Sequence, residues 1–220
     1  MDAVLEKILH SPKLALYVDK FQQVLANEQK DRAQFYEQMT EDQKTEFING
    51  DVVVHSPVKK RHTMVGRNLI VLLSAHVSKH DLGFVGYEKT LIVLTRNDYE
   101  PDICFFCQEK AQNFTPDQIK FPALDFIVEI LSPSTAENDR GIKRIDYAAH
   151  GVAEYWIIDP ATRFVEQYLL EDGEYRLARK TDSGQIASSA VAGFEIPVQA
   201  IFDDAEQWQA LQKLMQNQSN

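Results

Sequence analysis

The chain has 220 residues, 44% hydrophobic and 10% aromatic, which suits one domain with a real core and terminal additions. A formal net charge of -10 argues against a protein that coats nucleic acid non-specifically. No apolar run approaches the ~20 residues of a membrane span, and the acids in MDAVLEKILHSPK leave no room for the apolar stretch of a secretory signal. A cytoplasmic protein without membrane contact is expected.

Residues 2–30 place Leu14, Tyr17, Val18, Phe21 and Leu25 at helical spacing, and a second helical piece covers 32–43. Residues 1–44 are therefore expected to form a helical extension packed on a core domain of residues 45–220. Asn49-Gly50 marks a turn before a strand at 51–55, which Ser56-Pro57 stops. From Lys60 to His80 the residues Val65, Leu69, Leu72, Leu73 and Val77 describe an amphipathic helix. Strand-like runs follow at 84–88, 90–94, 102–106 and 125–131. Asn138 or Asp139 can cap a helix to about His150, closed by Gly151. A strand at 154–158 precedes a hairpin around Asp172-Gly173, and a short helix with a polar tail ends the chain. This order predicts an α/β fold, a mixed sheet with helices on both faces.

Cys104 and Cys107 form a CxxC pair with no second pair to complete a zinc site. Three residues apart on a strand, they point to opposite faces, as inert core cysteines do. Between Val52 and His80 there is no acid but five basic residues and four histidines, His62 among them. One reading is a solvated helix face; the other is a stripe (Lys59, Lys60, Arg61, Arg67) that contacts phosphates.

Three acids sit where an acid is uncomfortable. Glu46 lies between a helical segment and an apolar strand, Asp102 opens a strand directly after Pro101, and Glu129 is the lone charge in 126–131. A buried carboxylate costs several kcal/mol unless paired or bound to a metal. One resolution is a salt bridge to a nearby Lys or Arg. The other is Mg²⁺ (or Mn²⁺) held by Asp102 and Glu129, with Glu46 as a third ligand or water-orienting group. A lysine would complete such a site, but Leu131 stands two after Glu129. Lys143, i+4 from Asp139, is the next candidate: an ordinary helix pair, or an amine that reaches back to the acids, expected to be replaceable at little cost to stability.

Thr45-Glu46-Phe47-Ile48-Asn49-Gly50, Glu100-Pro101-Asp102-Ile103, the run from Val128 to Thr135, Asp139-Arg140-Gly141-Ile142-Lys143 and the run from Gly151 to Pro160 occur in one order. In these five motifs the chain, from about Glu46 to Arg179, resembles the Uma-type restriction endonuclease family, which is expanded in cyanobacteria. The resemblance implies a PD-(D/E)XK restriction-endonuclease-like fold with Asp102 and Glu129 at the metal, Glu46 as the family's early glutamate and Lys143 as a displaced equivalent of the lysine missing at Leu131. The expected activity is metal-dependent hydrolysis of DNA, with cleavage of both strands recruiting two sites through a homodimer. The alternative is a silent nuclease fold used for nucleic-acid binding or protein assembly.

Overall fold

A computed structural model describes residues 3–40 and 42–216. In chain order its elements are α1 (Ala3–Leu9), α2 (Leu14–Gln38), β1 (Thr45–Ile48), β2 (Asp51–Val54), α3 (Lys60–His80), β3 (Gly83–Tyr87), β4 (Leu91–Val93), β5 (Asp98–Tyr99), β6 (Ile103–Cys107), α4 (Gln108–Ala111), β7 (Lys120–Phe121), β8 (Phe126–Ile130), α5 (Ala136–Arg140), α6 (Ile142–Ala149), β9 (Glu154–Asp159), β10 (Phe164–Glu171), β11 (Glu174–Thr181), β12 (Gln185–Ala187), β13 (Glu195–Pro197), α7 (Gln199–Phe202) and α8 (Asp204–Gln216). The last four residues of the expected polar tail lie outside the described residues. Two compact units emerge: Met1–His55 with Arg96–Asp98, and Ser56–Thr95 with Tyr99–Asn220.

In the first unit the helical break falls between Leu9 and Leu14, where Pro12 removes a backbone donor; α2 then runs unbroken through Asp31. Its one buried residue among those described is Phe35, which packs on Phe47 of β1. The turn after β1 has Asn49 at φ 51° and Gly50 at φ 93°, the pair of left-handed residues that a two-residue hairpin requires. Glu46 therefore lies within a strand rather than ahead of one. That strand has only four residues, too few for its alternation to stand out in the sequence. Asp98, fully buried and paired in register with Phe47, receives Arg32 in a two-pronged contact and the Tyr36 hydroxyl. Burial, followed by the Asp98 charge, pushes the Tyr36 phenol up to about 12.

The second unit is built on a six-stranded sheet in the order β11-β10-β9-β8-β6-β3. The β8–β9 pair is parallel and the other pairs are antiparallel. Alternation gives this sheet two chemically different faces. Phe105, Phe126, Val128, Ile130, Trp156 and Ile158 point to one face and join Leu69, Leu72 and Leu73 of α3 in the main core, together with Ile196 and Ile201 from the C-terminal segments. Full burial of each such side chain contributes about 1.5–3 kcal/mol. The opposite face carries Cys104, Ile127, Glu129, Tyr155, Ile157 and Glu166 beneath α5 and α6. Both cysteines are free, and burial raises the Cys104 thiol to about 12, so it stays protonated and unreactive.

The helix expected from Asn138 to His150 is instead two helices. They meet at Gly141, whose φ and ψ are -103° and -104°. A Cβ at Gly141 would stand 2.7 Å from the Glu137 carbonyl oxygen, which the Gly141 N–H also approaches at 2.9 Å. Only glycine permits that close return of the chain.

One buried acid belongs to the scaffold. Glu154, fully buried, accepts hydrogen bonds from Trp156 Nε1 (2.6 Å), Gln167 Nε2 (2.7 Å), Ser188 Oγ (2.6 Å), Ser189 N (2.8 Å) and Ala190 N (2.9 Å). It thereby fastens the segment after β12 to β9 and β10. Glu154→Ala removes the shared acceptor of five donors, the Trp156 indole and Gln167 amide among the buried ones, and is expected to lower the unfolding free energy by ~3 kcal/mol. Urea denaturation measures this, and a loss below ~1 kcal/mol would show that the network is dispensable.

Candidate active site

Antiparallel register sets Ile103 of β6 opposite Val128 of β8, so the next pair outward is Asp102 opposite Glu129. Directly opposed residues share a face, with Cβ atoms about 4.5–5.5 Å apart. The ladder ends here in an unusual way: the Ile130 N–H donates to Asp102 Oδ2 at 2.8 Å. The Asp102 side chain is thus locked against β8. His62 Nε2, from the first turns of α3, lies 3.3 Å from the same oxygen.

Glu129 Oε1 accepts from Lys143 Nζ at 3.1 Å, and that ammonium is 3.2 Å from Asp139 Oδ1. Lys143 does pair with Asp139, as i,i+4 spacing allows, and also reaches Glu129. It is 1% exposed and sits 5.8 Å from the Tyr99 ring centroid. Tyr155 is also fully buried on this face, and its hydroxyl donates to the Asp139 carbonyl at 2.9 Å. Burial raises its phenol well above the usual range, and Glu129, Asp139 and Asp102 raise it further in that order. Three carboxylates therefore bear on one hydroxyl.

The structure brings Asp102, Glu129 and Lys143 together within the second unit. Glu46 belongs to the first unit, where it is 1% exposed and its Oε2 lies 3.0 Å from His55 Nε2. Lys59, Lys60 and Arg61 are exposed and precede His62 in the chain. Arg61 lines a shallow pocket with Leu131, Ser132 and Pro133, just past the strand that carries Glu129. Arg67 is also exposed but is tied to Asp204 and to the Asn68 side chain.

Sequence reading passed over His62, Asp139 and Tyr155 as members of the site. His62 carried no spacing signal, only membership of a histidine-rich stretch. Asp139 resembled a helix cap, whereas it is buried in the last turn of α5. Tyr155 looked like one aromatic among the core residues of β9.

Among the described residues, no three His, Cys, Asp or Glu side chains converge as a ready-made metal cage. The donor chemistry still fits a hard divalent cation. Asp102 and Glu129 offer two facing carboxylates, and Mg²⁺ is commonly held by one or two, with water and phosphate oxygens filling the shell.

Comparison with known proteins bears on the family and the fold. The Uma2 family, described as "Putative restriction endonuclease", matches residues 32–199. An uncharacterized protein of Synechocystis sp. is 26% identical over 163 residues, 73% of this chain and 84% of its own. A crystal structure from Anabaena variabilis, described as "a putative nuclease belonging to DUF820", has the same fold at 18% identity, with a TM-score of 0.66 over 76% of this chain and 94% of that one. The family match takes in most of the chain, including Glu46, Asp102, Glu129 and Lys143, and so the chain belongs to the Uma2 family.

Proposed function

We propose that this protein hydrolyses DNA phosphodiester bonds at Asp102 and Glu129, with Mg²⁺ or Mn²⁺ held between the two carboxylates. The observation that carries the reading is a buried glutamate facing an aspartate across a strand pair, with a buried lysine amine 3.1 Å from the glutamate. When bound there, a divalent cation would polarise the phosphoryl group and lower the pKa of a bound water. The chain's own groups set the rest. The Ile130 N–H fixes the Asp102 carboxylate. Lys143, steadied by Asp139, supplies a positive charge where charge develops on the phosphorane. His62 Nε2, beside Asp102 Oδ2, can hold or pass a proton there. Lys59, Lys60 and Arg61 supply phosphate contacts on an otherwise acidic molecule, and a twofold pair of copies would present one site to each strand.

A second reading, a silent nuclease fold, is favoured by one feature: Lys143 already pairs with Glu129, and both side chains are buried. Plasmid nicking in Mg²⁺, Mn²⁺ and chelator separates the two. Asp102→Asn and Glu129→Gln, both close in shape to the parent, are expected to reduce the nicking rate on the order of 10²-fold or more. Mn²⁺ affinity, followed by electron paramagnetic resonance, should weaken in parallel. Glu46→Gln, in the same assay, tests its assisting role and should slow nicking while sparing Mn²⁺ affinity. No nicking by the parent in either metal would leave the silent fold as the better account.

Lys143→Met, expected from the sequence to spare stability, is expected from the structure to cost it. In the folded protein that ammonium is buried between two carboxylates, so its loss removes an ion pair from each and should cost on the order of 3–5 kcal/mol. Chemical denaturation of Lys143→Met beside Lys143→Met/Asp139→Asn checks this. The double variant, with one buried charge fewer, should recover part of the loss; equal stability for the two would show that Asp139 is not part of the pair.

A further inference from the structure

The row that carries Asp102 and Glu129 continues across the sheet. Glu129 is paired in register with Ile157 of β9, Ile157 with Glu166 of β10, and Glu166 with Lys180 of β11. Register partners share a face, so all of these side chains lie on the face beneath α5 and α6. Glu166 is the third acid of the row and, like Glu129, meets a cation from the helices above: Arg140 Nη1 contacts its Oε2. Lys180 Nζ lies 3.0 Å from Oε1, and the Tyr168 hydroxyl donates to Oε2 at 3.0 Å.

The resemblance between the two acids ends with exposure. Lys143 is 1% exposed, whereas the Arg140 and Lys180 side chains are 42% and 52% exposed around a Glu166 side chain that is 6% exposed. Arg140, Lys180 and Glu166 line a pocket of about 390 Å³ whose floor includes Ile157, the residue next to Glu129. One buried carboxylate thus holds two cations at the rim of an open pocket. Arg140 has five N–H donors and Lys180 three, so each keeps donors beyond those given to Glu166. Asp159 also lines the pocket, but its carboxylate is engaged by the Ala161 and Thr162 N–H groups and the Thr162 hydroxyl, which help hold it below the usual carboxylate range despite partial burial. A planar guanidinium beside an ammonium, both pre-oriented, suits an oxyanion with several acceptor oxygens.

Strand spacing gives the scale. Glu166 is two strands from Glu129 and Lys180 is three, or about 10–14 Å at ~4.8 Å per strand. That is the rise of about three or four nucleotides along one strand of a duplex, at ~3.4 Å each.

We propose that the Arg140–Lys180 pocket is a second oxyanion subsite, which holds a phosphate of the same nucleic acid whose scissile phosphate lies at Asp102 and Glu129. This rests on the reading of that site as a DNA-cleaving one. The subsite holds the substrate backbone in register and takes no part in bond cleavage.

The test uses the full chain, with Lys180→Gln as the main variant, Arg140→Gln as the second and Lys213→Gln, on α8, as a control for loss of a charge elsewhere. Binding of a labelled short duplex is followed by fluorescence anisotropy in chelator over a series of KCl concentrations. Lys180→Gln should reduce the salt slope by about 0.9, the value for one lost phosphate contact, while Lys213→Gln leaves it unchanged. In nicking assays it should raise KM several-fold and keep kcat. In a separate arm, inorganic phosphate is titrated while the Arg140 side-chain Nε–H signal is followed by NMR; a saturable shift that is lost in Lys180→Gln is expected. Phosphate binding with an unchanged DNA salt slope would assign the pocket to free phosphate and overturn the proposal. No phosphate shift and no slope change would overturn it as an oxyanion site altogether. If the parent fails to bind DNA at all, the DNA-cleaving reading falls first and this assignment with it. A drop in kcat alone would place Lys180 in the scaffold of the catalytic site and refute a separate subsite.

Discussion

A lysine ammonium buried between two carboxylates governs the polar face of the sheet. Glu129 cannot be ionised in that environment without a counter-charge, and the one supplied, Lys143, comes from the next element in the chain. The lysine in turn needs Asp139 behind it, and the Asp139 backbone carbonyl accepts the Tyr155 hydroxyl. Each group is affordable only because the next is present. The arrangement is therefore a poor source of net stability and an effective way to hold an acid, a base and an aromatic wall in one geometry.

The two faces of the sheet divide the work. The face toward α3 is almost entirely apolar and supplies the packing energy of the second unit. Its buried acid, Glu154, is satisfied by five donors, Gln167 of the same face among them, so it has the burial of an active-site acid without the geometry of one. Glu129 instead meets a charged amine, Lys143, and stands opposite Asp102 across β6 and β8. The two glutamates differ in the partners that are seen: neutral donors fix Glu154, whereas a cation from another element meets Glu129.

Much of this could be read before any coordinates. The strands β8, β9 and β10, helix α3 and the Asp172-Gly173 hairpin follow from apolar periodicity and turn chemistry, which are local signals. Glu129 announced itself as the lone charge in an apolar run. Other features were missed. The strand holding Glu46 is too short for its alternation to register, and Pro12, not Asp31, sets the break between the N-terminal helices. The neighbours of the Asp102 carboxylate, His62 on α3 and the Ile130 N–H on β8, are both distant in sequence, so only the tertiary fold reveals them. Lys143 could be placed near Asp139 from spacing alone, but its burial depends on Tyr99 and Tyr147 closing around it, a tertiary fact.

The break at Gly141 ties these features together. In one continuous helix Arg140 and Lys143, three apart, would project from the same face with Cβ atoms about 5–6 Å apart. Their acids, Glu166 and Glu129, lie two strands apart on the sheet, or roughly 10 Å. Interrupting the helix between the two cations rotates one relative to the other, and each can then meet its own acid without a strained side chain. Glycine is the residue that permits the interruption, because any Cβ at that position would run into the Glu137 carbonyl. The Asp139-Arg140-Gly141-Ile142-Lys143 motif is thus a single device. Its aspartate steadies the lysine, its glycine sets the spacing, and its two cations serve two acids on one row of the sheet, one sealed and one open.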